Sequence, residues 1–542
     1  MDEKILLISK TYSNYQSTLP KSESSVESSD VIEHKQINYF SLKHIGFFFY
    51  AFTDGFAIIQ IGGFTYAFLR TYLGQNGAVY NISNALTTLP FGLKLIYATV
   101  NDSFPILRLR RKPYMIIGWI IALILSVILI VVPLPETRYI IPFNTTNSCS
   151  ERYEKKLTDN NYRGTSTEYT VYALVYMSAF FLMDIAVSIC DTAMDGLMVQ
   201  YARREPDHLR GRMQSFMYAS RQLGIVVNLI VTAFGFNWYL YGGPWCQGIG
   251  IKAIFVCYIA LGVIAIPVTI FMTDEEPVDS AISFQSLMKR SLTSLKSEAL
   301  QRILLFVFVI NISQCLISPA DNMIMTYWAN TTNLTFSMGN VFANILMMVG
   351  ITIFGAYLRH YDWRIIFLVT QCLMTLINGV ITFMVIFNVY RNQYFYISDN
   401  ISKNVFTGIN FICLLIIAVE MCESDTEGTF YGIVMSVDNL GQSVGMLLAN
   451  TIAIPFDVSS VKRYKQDTNH DRWMVASQEL IIYTLQILIT VVFLPLFPSG
   501  IEETKRLKAR LGSSTPWAYF LVISYVLTLV GTLAYSFISA FF

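Results

Sequence analysis

The residues of this 542-residue chain that could do chemistry are ionisable side chains embedded in long apolar runs. Asp54, Lys94, Asp184, Asp191, Asp195, Arg221, Asp321, Glu420, Glu423 and Asp438 all lie within or at the edge of such runs. A charge at membrane depth costs at least about 2.5–3.5 kcal/mol, so it is expected to face a partner or an aqueous path. Asp184, Asp191 and Asp195 are spaced by 7 and 4 residues. On a helix that spacing keeps them within roughly 40° of one face, along ~16 Å. Glu420, Glu423 and Glu427 recur at offsets of 3 and 7 and read as a second acidic face on the tenth run. Carboxylates so placed are proton-exchange groups. Asp184, Asp191, Asp195, Glu423 and Glu427 are therefore the expected proton-coupling set, and Asp54, Lys94, Asp184, Arg221, Asp321 and Glu420 the expected solute-binding set. For Lys94 and Arg221 a salt bridge to the acids of the fourth run is the alternative, since opposite charges at membrane depth compensate one another. Asp191 and Asp195 could equally be stabilised by water and by Arg203 and Arg204 at the end of their run.

Other chemistries lack their residues. No Gly-x-x-x-x-Gly-Lys-Ser/Thr occurs, so no P-loop is expected. The five histidines, 34, 44, 208, 360 and 470, fall in loops or tails, and no His-Glu-x-x-His or Cys-x-x-Cys is present. The expectation is a protein that is not an enzyme, with no cofactor and no metal. With 38 basic against 37 acidic residues there is no field to attract nucleic acid. The expected partners are a small-molecule solute, protons and the lipid bilayer, and the expected state is a monomer.

The elements that must position these groups follow from composition. Apolar and aromatic residues make up 54% and charged residues 14%, where soluble domains carry about 25% charge. Thirteen apolar runs fall near 45–69, 79–100, 114–132, 170–198, 215–236, 249–271, 304–325, 338–358, 365–387, 406–423, 430–454, 474–497 and 516–540. Backbone groups in hydrocarbon must bond internally, and the alternation of barrel strands is missing, so these runs are expected to be helices. Residues 1–44 read as a disordered cytoplasmic tail with no secretory signal peptide, in which Asp2-x-x-x-Leu6-Leu7 has the spacing of an acidic dileucine address.

Basic loops at 101–113, 199–214 and 498–515 share one side if the N-terminus is cytoplasmic. The sequons at Asn144, Asn330, Asn333 and Asn400 fall on the other, so a glycoprotein is expected. Loop 455–473 dissents, because it is placed outside yet contains Lys462, Arg463, Lys465 and Arg472. Cys149 and Cys246 are the cysteines in external loops, and a disulfide between them is expected. The plasma membrane is the expected location, with an organellar membrane as the alternative.

An internal repeat is visible. Asp191-x-x-x-Asp195-Gly196 closes the fourth run and Glu423-x-x-x-Glu427-Gly428 the tenth, six runs apart. Paired six-helix halves are the organisation of parallel-repeat transporters, with a solute site between the halves. The expected domains are a six-helix bundle at 45–271, a cytoplasmic linker at 272–303 and a second six-helix bundle at 304–497. Segment 498–542 adds a basic stretch and a thirteenth transmembrane helix. The fold class is an all-α polytopic membrane protein.

Several motifs carry a further likeness. Pro90-Phe-Gly-Leu-Lys94, Asn101-Asp102-Ser-Phe-Pro105, Arg110-Arg111-Lys112-Pro113-Tyr114, Asp191-x-x-x-Asp195-Gly196 with Ala202-Arg203, Gly211-Arg-Met-Gln214-Ser215, and Glu427-Gly428-Thr429 with Asn439 and Gly441 resemble the folate-biopterin transporter family of the major facilitator superfamily. Phe91, Leu95 and Gln200 depart from that pattern. The resemblance implies a twelve-helix major-facilitator-like core that imports folates or other pterins by alternating access, with proton symport, and a gating loop that includes Asp102, Arg110 and Arg111. A pterin edge suits bidentate capture by Asp184 or Glu420, and a glutamate tail suits Arg221 or Lys94. The alternative is a facilitator of another organic solute such as S-adenosylmethionine.

Overall fold

The computed structural model describes residues 41–75, 87, 89–138, 164–206, 209, 211–241, 245–278, 283–422, 427–458, 460–509 and 512–541. Among them no strand forms beyond isolated bridges. The helices are α1 (Ile45–Tyr66), α2 (Lys94–Ser103), α3 (Lys112–Val131), α4 (Ser166–Arg203), α5 (Arg212–Gly235), α6 (Ile251–Met272), α7 (Glu298–Gln314), α8 (Asn333–Ala356), α9 (Trp363–Ile386), α10 (Gln393–Met421), α11 (Glu427–Ala453), α12 (Asn469–Phe493) and α13 (Thr515–Phe541). Shorter helices occupy Phe284–Leu295 and Ile501–Ala509. Eight of these, α3–α6, α8–α10 and α12, are long and apolar enough to cross a membrane, and α1 and α13 carry shorter apolar stretches. The chain is a multi-pass membrane protein. Ile120, Ile124, Val127 and Ile128 of α3 are exposed, as a face meeting acyl chains requires.

Helix packing repeats with a step of six. In the first set α1 packs on α5 and α6, α3 on α4 and α6, and α2 on α4. In the second set α7 packs on α11 and α12, α9 on α10 and α12, and α8 on α10. Between the sets, α5 meets α8, and α11 meets α2 and α4. The seventh run is not one helix, contrary to expectation. It stops at Gln314 and resumes at Ala320–Met323 and a wider turn, Ile324–Trp328. Pro319 explains the break, because it lacks a donor and disfavours the helical conformation of the residue before it.

Loop 455–473 is laced with ion pairs, and one expectation for the sequons is corrected. Arg463 pairs with Asp471 at 2.8 Å and Asp457 at 3.6 Å, while Arg472 and Arg391 both pair with Asp467, at 2.9 and 2.6 Å. Burial opposes ionisation of Asp467, but the bonds from Arg391 and Arg472 outweigh it and hold this carboxyl down to about 2. Asn400, by contrast, lies inside α10, not in a loop, and its Nδ2 donates to Asn340 Oδ1 at 3.0 Å. The atom that would carry a glycan is thus engaged in helix packing, whereas Asn330 is exposed. Glycosidase shifts in a eukaryotic host are expected to be reduced by Asn330→Gln and unchanged by Asn400→Gln; the reverse pattern would refute this reading.

Cys246 is disulfide-bonded and six other cysteines are free. Cys149, its expected partner, lies outside the described residues, as do Asn144 and the Asp2-Leu6-Leu7 motif.

Candidate functional site

Close backbone contact builds the first cluster. A Cβ on Gly55 would lie 2.0 Å from the Arg221 carbonyl oxygen, and one on Gly224 2.0 Å from that of Phe52, so α1 and α5 touch at their glycines. The approach seats Asp54 beside Arg221, with Nε 3.5 Å from Oδ2. Arg221 Nη2 is 2.8 Å from Asp191 Oδ1, and Nη1 is 3.9 Å from Asp195 Oδ1. Lys94, the first residue of α2, pairs with Asp191 and reaches Asp195 Oδ2 at 3.1 Å. Three carboxylates and two cations from four helices thus form one buried network. The alternative reading of Lys94 and Arg221 as ion partners of the fourth helix describes their positions.

The network continues into the second set of helices. The Tyr218 hydroxyl lies 3.2 Å from Asp195 Oδ1 and 2.7 Å from the Tyr431 hydroxyl. The Phe411 ring meets Tyr218 edge-on at 5.0 Å. Tyr218, Tyr431 and Phe411 were not among the expected site residues; no charge marks them.

Beyond the tyrosines lies a second constellation. Arg111 is fully buried and ion-paired with Asp102. Asp102 Oδ2 also accepts from Thr429 N at 2.7 Å and from its hydroxyl at 2.6 Å. Two glycines flank the guanidinium: a Cβ on Gly196 would stand 2.7 Å from Arg111 Nε, and one on Gly428 2.5 Å from Nη1. The repeated acid-glycine motif is thereby explained, since its glycines make room for one arginine between α4 and α11. Arg203 Nη1 adds a bond to Glu427 Oε1 at 2.9 Å. Glu275, unanticipated from sequence, accepts the backbone N–H groups of Arg110, Arg111 and Lys112, each at 2.8 Å, where an acid complements the start of α3. Arg110 itself is buried.

Three expectations for the acids change. Glu427 does not close the tenth helix but begins α11, where a carboxylate suits the helix N-terminus and meets Arg203. Glu420 lies in the last turn of α10, where Lys508 Nζ takes the carbonyls of Glu420, Met421 and Cys422 at 3.3, 3.2 and 3.0 Å. Glu423 is outside the described residues. Because α10 ends at Met421, no continuous acidic face joins Glu420 to Glu427. In α4 the stripe also divides. Asp184 lies one and a half to two turns, about 10 Å, from Asp191, and among the described residues it has no ion pair. Its buried Oδ2 has no hydrogen-bond partner.

The expected Asp321 is joined by charges that the sequence reading missed, Asp399, Lys403 and Glu479. Asp321, past the break in α7, accepts from the Tyr396 hydroxyl at 3.3 Å. Nearby are Asp399 and Lys403 of α10, paired at 3.2 Å, and the buried Glu479 of α12. The expected tenth run began at 406 because Asp399, Asn400, Lys403 and Asn404 depress its hydropathy. The signal available was Asn392, whose side chain caps α10 by accepting from Tyr394 N at 2.8 Å and Phe395 N at 3.4 Å. Asp438 of α11 accepts from Asn311 at 2.6 Å and Gln442 at 3.1 Å.

A membrane protein of repeated helix pairs with buried charge between them has the architecture of the major facilitator superfamily. The proton:xylose symporter XylE of that superfamily superposes with a TM-score of 0.52 at 10% identity, covering 85% of this chain and 98% of that one. A second D-xylose-proton symporter structure gives a TM-score of 0.55 at 10% identity, covering 84% and 97%. The BT1 family model matches residues 55–144 and 163–510, and this chain belongs to the BT1 family. The folate-biopterin transporter of Synechocystis sp. is 22% identical over 332 residues, which are 59% of this chain and 62% of that protein. The chain thus spans about three-fifths of the length of that relative.

Proposed function

We propose that the chain is a secondary active transporter that moves folate, biopterin or a related pterin across its membrane by alternating access, coupled to protons. The solute class is that of its Synechocystis relative. In this reading bundles 45–271 and 304–497, joined by linker 272–303, rock against each other. The observation that carries it is the Asp102–Arg111–Thr429 contact, which ties the end of α2 and the start of α3 to α11. Arg203 on Glu427 and Tyr218 on Tyr431 lie on the same side, so the contacts support a conformation closed toward the cytoplasm. The Asp54–Asp191–Asp195–Lys94–Arg221 network lies directly behind that closure.

Exchange of partners within the network supplies a coupling step. Asp54 is the more loosely held partner of Arg221, at 3.5 Å against 2.8 Å for Asp191. For folate, a carboxylate of the glutamate tail can take its place on the guanidinium when Asp54 takes up a proton, because a guanidinium grips carboxylates bidentately. Asp184, without an ion pair, is the group free to carry the proton. Uptake of labelled folate, biopterin and S-adenosylmethionine, with and without a protonophore, tests the proposal. Pterin or folate accumulation is expected to collapse with the protonophore. Asp184→Asn is expected to abolish it at unchanged surface expression; normal uptake in that variant removes Asp184 from the mechanism. Uptake of S-adenosylmethionine alone would replace the solute assignment.

A further inference from the structure

Where α7 breaks, three helices bring together charged groups that the mechanism above leaves unused. Asp321 follows the break, Asp399 and Lys403 come from α10, and Glu479, 1% exposed, comes from α12. The Ser318 hydroxyl donates to Gln478 Oε1 at 2.7 Å, which ties the segment before Asp321 to α12 beside Glu479, and the two carboxyls interact electrostatically. Tyr396, Tyr464 and Tyr483 are the neutral titratable groups facing them. Lys403 pairs with Asp399, and Arg463 is held in the outer loop by Asp471 and Asp457. Three carboxyls therefore share one lysine.

The second observation is unmet bonding capacity. Glu479 Oε1, Asp399 Oδ1 and Gln478 Nε2 are buried without a hydrogen-bond partner. A buried charge left uncompensated is strongly destabilising, and two carboxylates sharing a site do not readily ionise together. No trio of His, Cys, Asp or Glu among the described residues converges as metal ligands. A proton needs only the two carboxyls. Glu479 lies ten residues from the start of α12 and Asp399 six from the start of α10, which is about 15 and 9 Å. Both are entered from the face opposite the Arg111 contacts.

We propose that Asp321 and Glu479 form a second proton-binding site, reached from the outer face, with Lys403 compensating Asp399 beside it. One carboxylate takes up H⁺ to give one carboxylic acid, and the same proton is released when the site is reopened. This deepens the coupled-transport reading and rests on it for the transport measurement alone.

Infrared difference spectra of the purified full chain between alkaline and neutral pH test the site directly. The native protein is expected to show a protonated-carboxyl carbonyl band that Glu479→Gln loses and Asp321→Asn loses or shifts. Asp184→Asn is the control for a separate component. Identical bands in the native chain and both variants would overturn the proposal. So would failure of both variants to fold, since a neutral isostere is tolerated where a neutral acid stood. In liposomes, Glu479→Gln is expected to lose gradient-driven accumulation of labelled biopterin while keeping biopterin exchange without a gradient. Loss of both would reassign Glu479 to solute binding or structure and overturn the proposal. A native chain that carries no biopterin would sink the transport reading, and the infrared result would still decide the site.

Discussion

Asp191→Asn is expected to strip most of the folded chain from the membrane. Asp191 stands between two cations, 2.8 Å from Arg221 and ion-paired with Lys94, with no side-chain exposure. The asparagine keeps the shape and removes the charge that both cations share: Lys94 keeps Asp195 at 3.1 Å, but Arg221 is left with only the longer contacts to Asp54 and Asp195, at 3.5 and 3.9 Å. Breaking a buried pair from one side costs about 3–5 kcal/mol, a large share of the stability of most proteins. The expected result is a lower melting temperature in detergent and little protein at the cell surface. Lys94→Gln should be destabilising alone yet partly restore Asp191→Asn, because the double variant lacks one charge of each sign. A double-mutant cycle with no coupling, or an Asp191→Asn chain that melts like the native one, would show that the network does not hold the helices together.

The second large effect is expected at Gly428. Valine there would bring its Cβ to 2.5 Å from Arg111 Nη1, with its two methyls pointing further into the slot. The guanidinium must leave its slot between Gly196 and Gly428 and abandon Asp102. Bonds to charged groups contribute about 1.5–3 kcal/mol each, and 1.4 kcal/mol is a factor of about ten in an equilibrium. Losing one such bond therefore shifts the balance toward the cytoplasm-open form by roughly tenfold or more. Cys422 is a native reporter: it is buried, and its Sγ lies 3.8 Å from the Glu427 carbonyl oxygen. Its labelling by a thiol reagent applied from the cytoplasmic face should rise strongly in Gly428→Val and in Asp102→Asn, with uptake reduced in both. Unchanged labelling in both variants, at native melting temperature, would mean that the Arg111 contact is not a gate.

The limits of sequence reading are instructive at particular residues. Lys94, Asp191, Asp195, Arg221 and Asp54 stood out because a charge in an apolar run is costly wherever the run ends up. Asp399 and Lys403 did not, for the same reason in reverse: several polar residues close together dilute the apolar signal, and α10 looked shorter than it is. Asn400 read as an outer-loop sequon on that account. Glu479 lies inside the twelfth run, 474–497, and was passed over although the same cost applies to it. Glu427 read as the end of a helix because letters repeat with a fixed spacing whether or not the backbone between them is helical. Here the chain breaks after Met421 and starts again at Glu427.

Membership of a helical, multi-pass, internally repeated class was written into the sequence, since hydrocarbon leaves a backbone few choices and run length is local. Which charges meet was settled by the fold alone. Asp102 and Thr429 are 327 residues apart, Tyr218 and Tyr431 213, and no local pattern encodes such pairings. They arise because small residues let particular helix backbones touch, and contact between backbones fixes where every side chain on those faces must point.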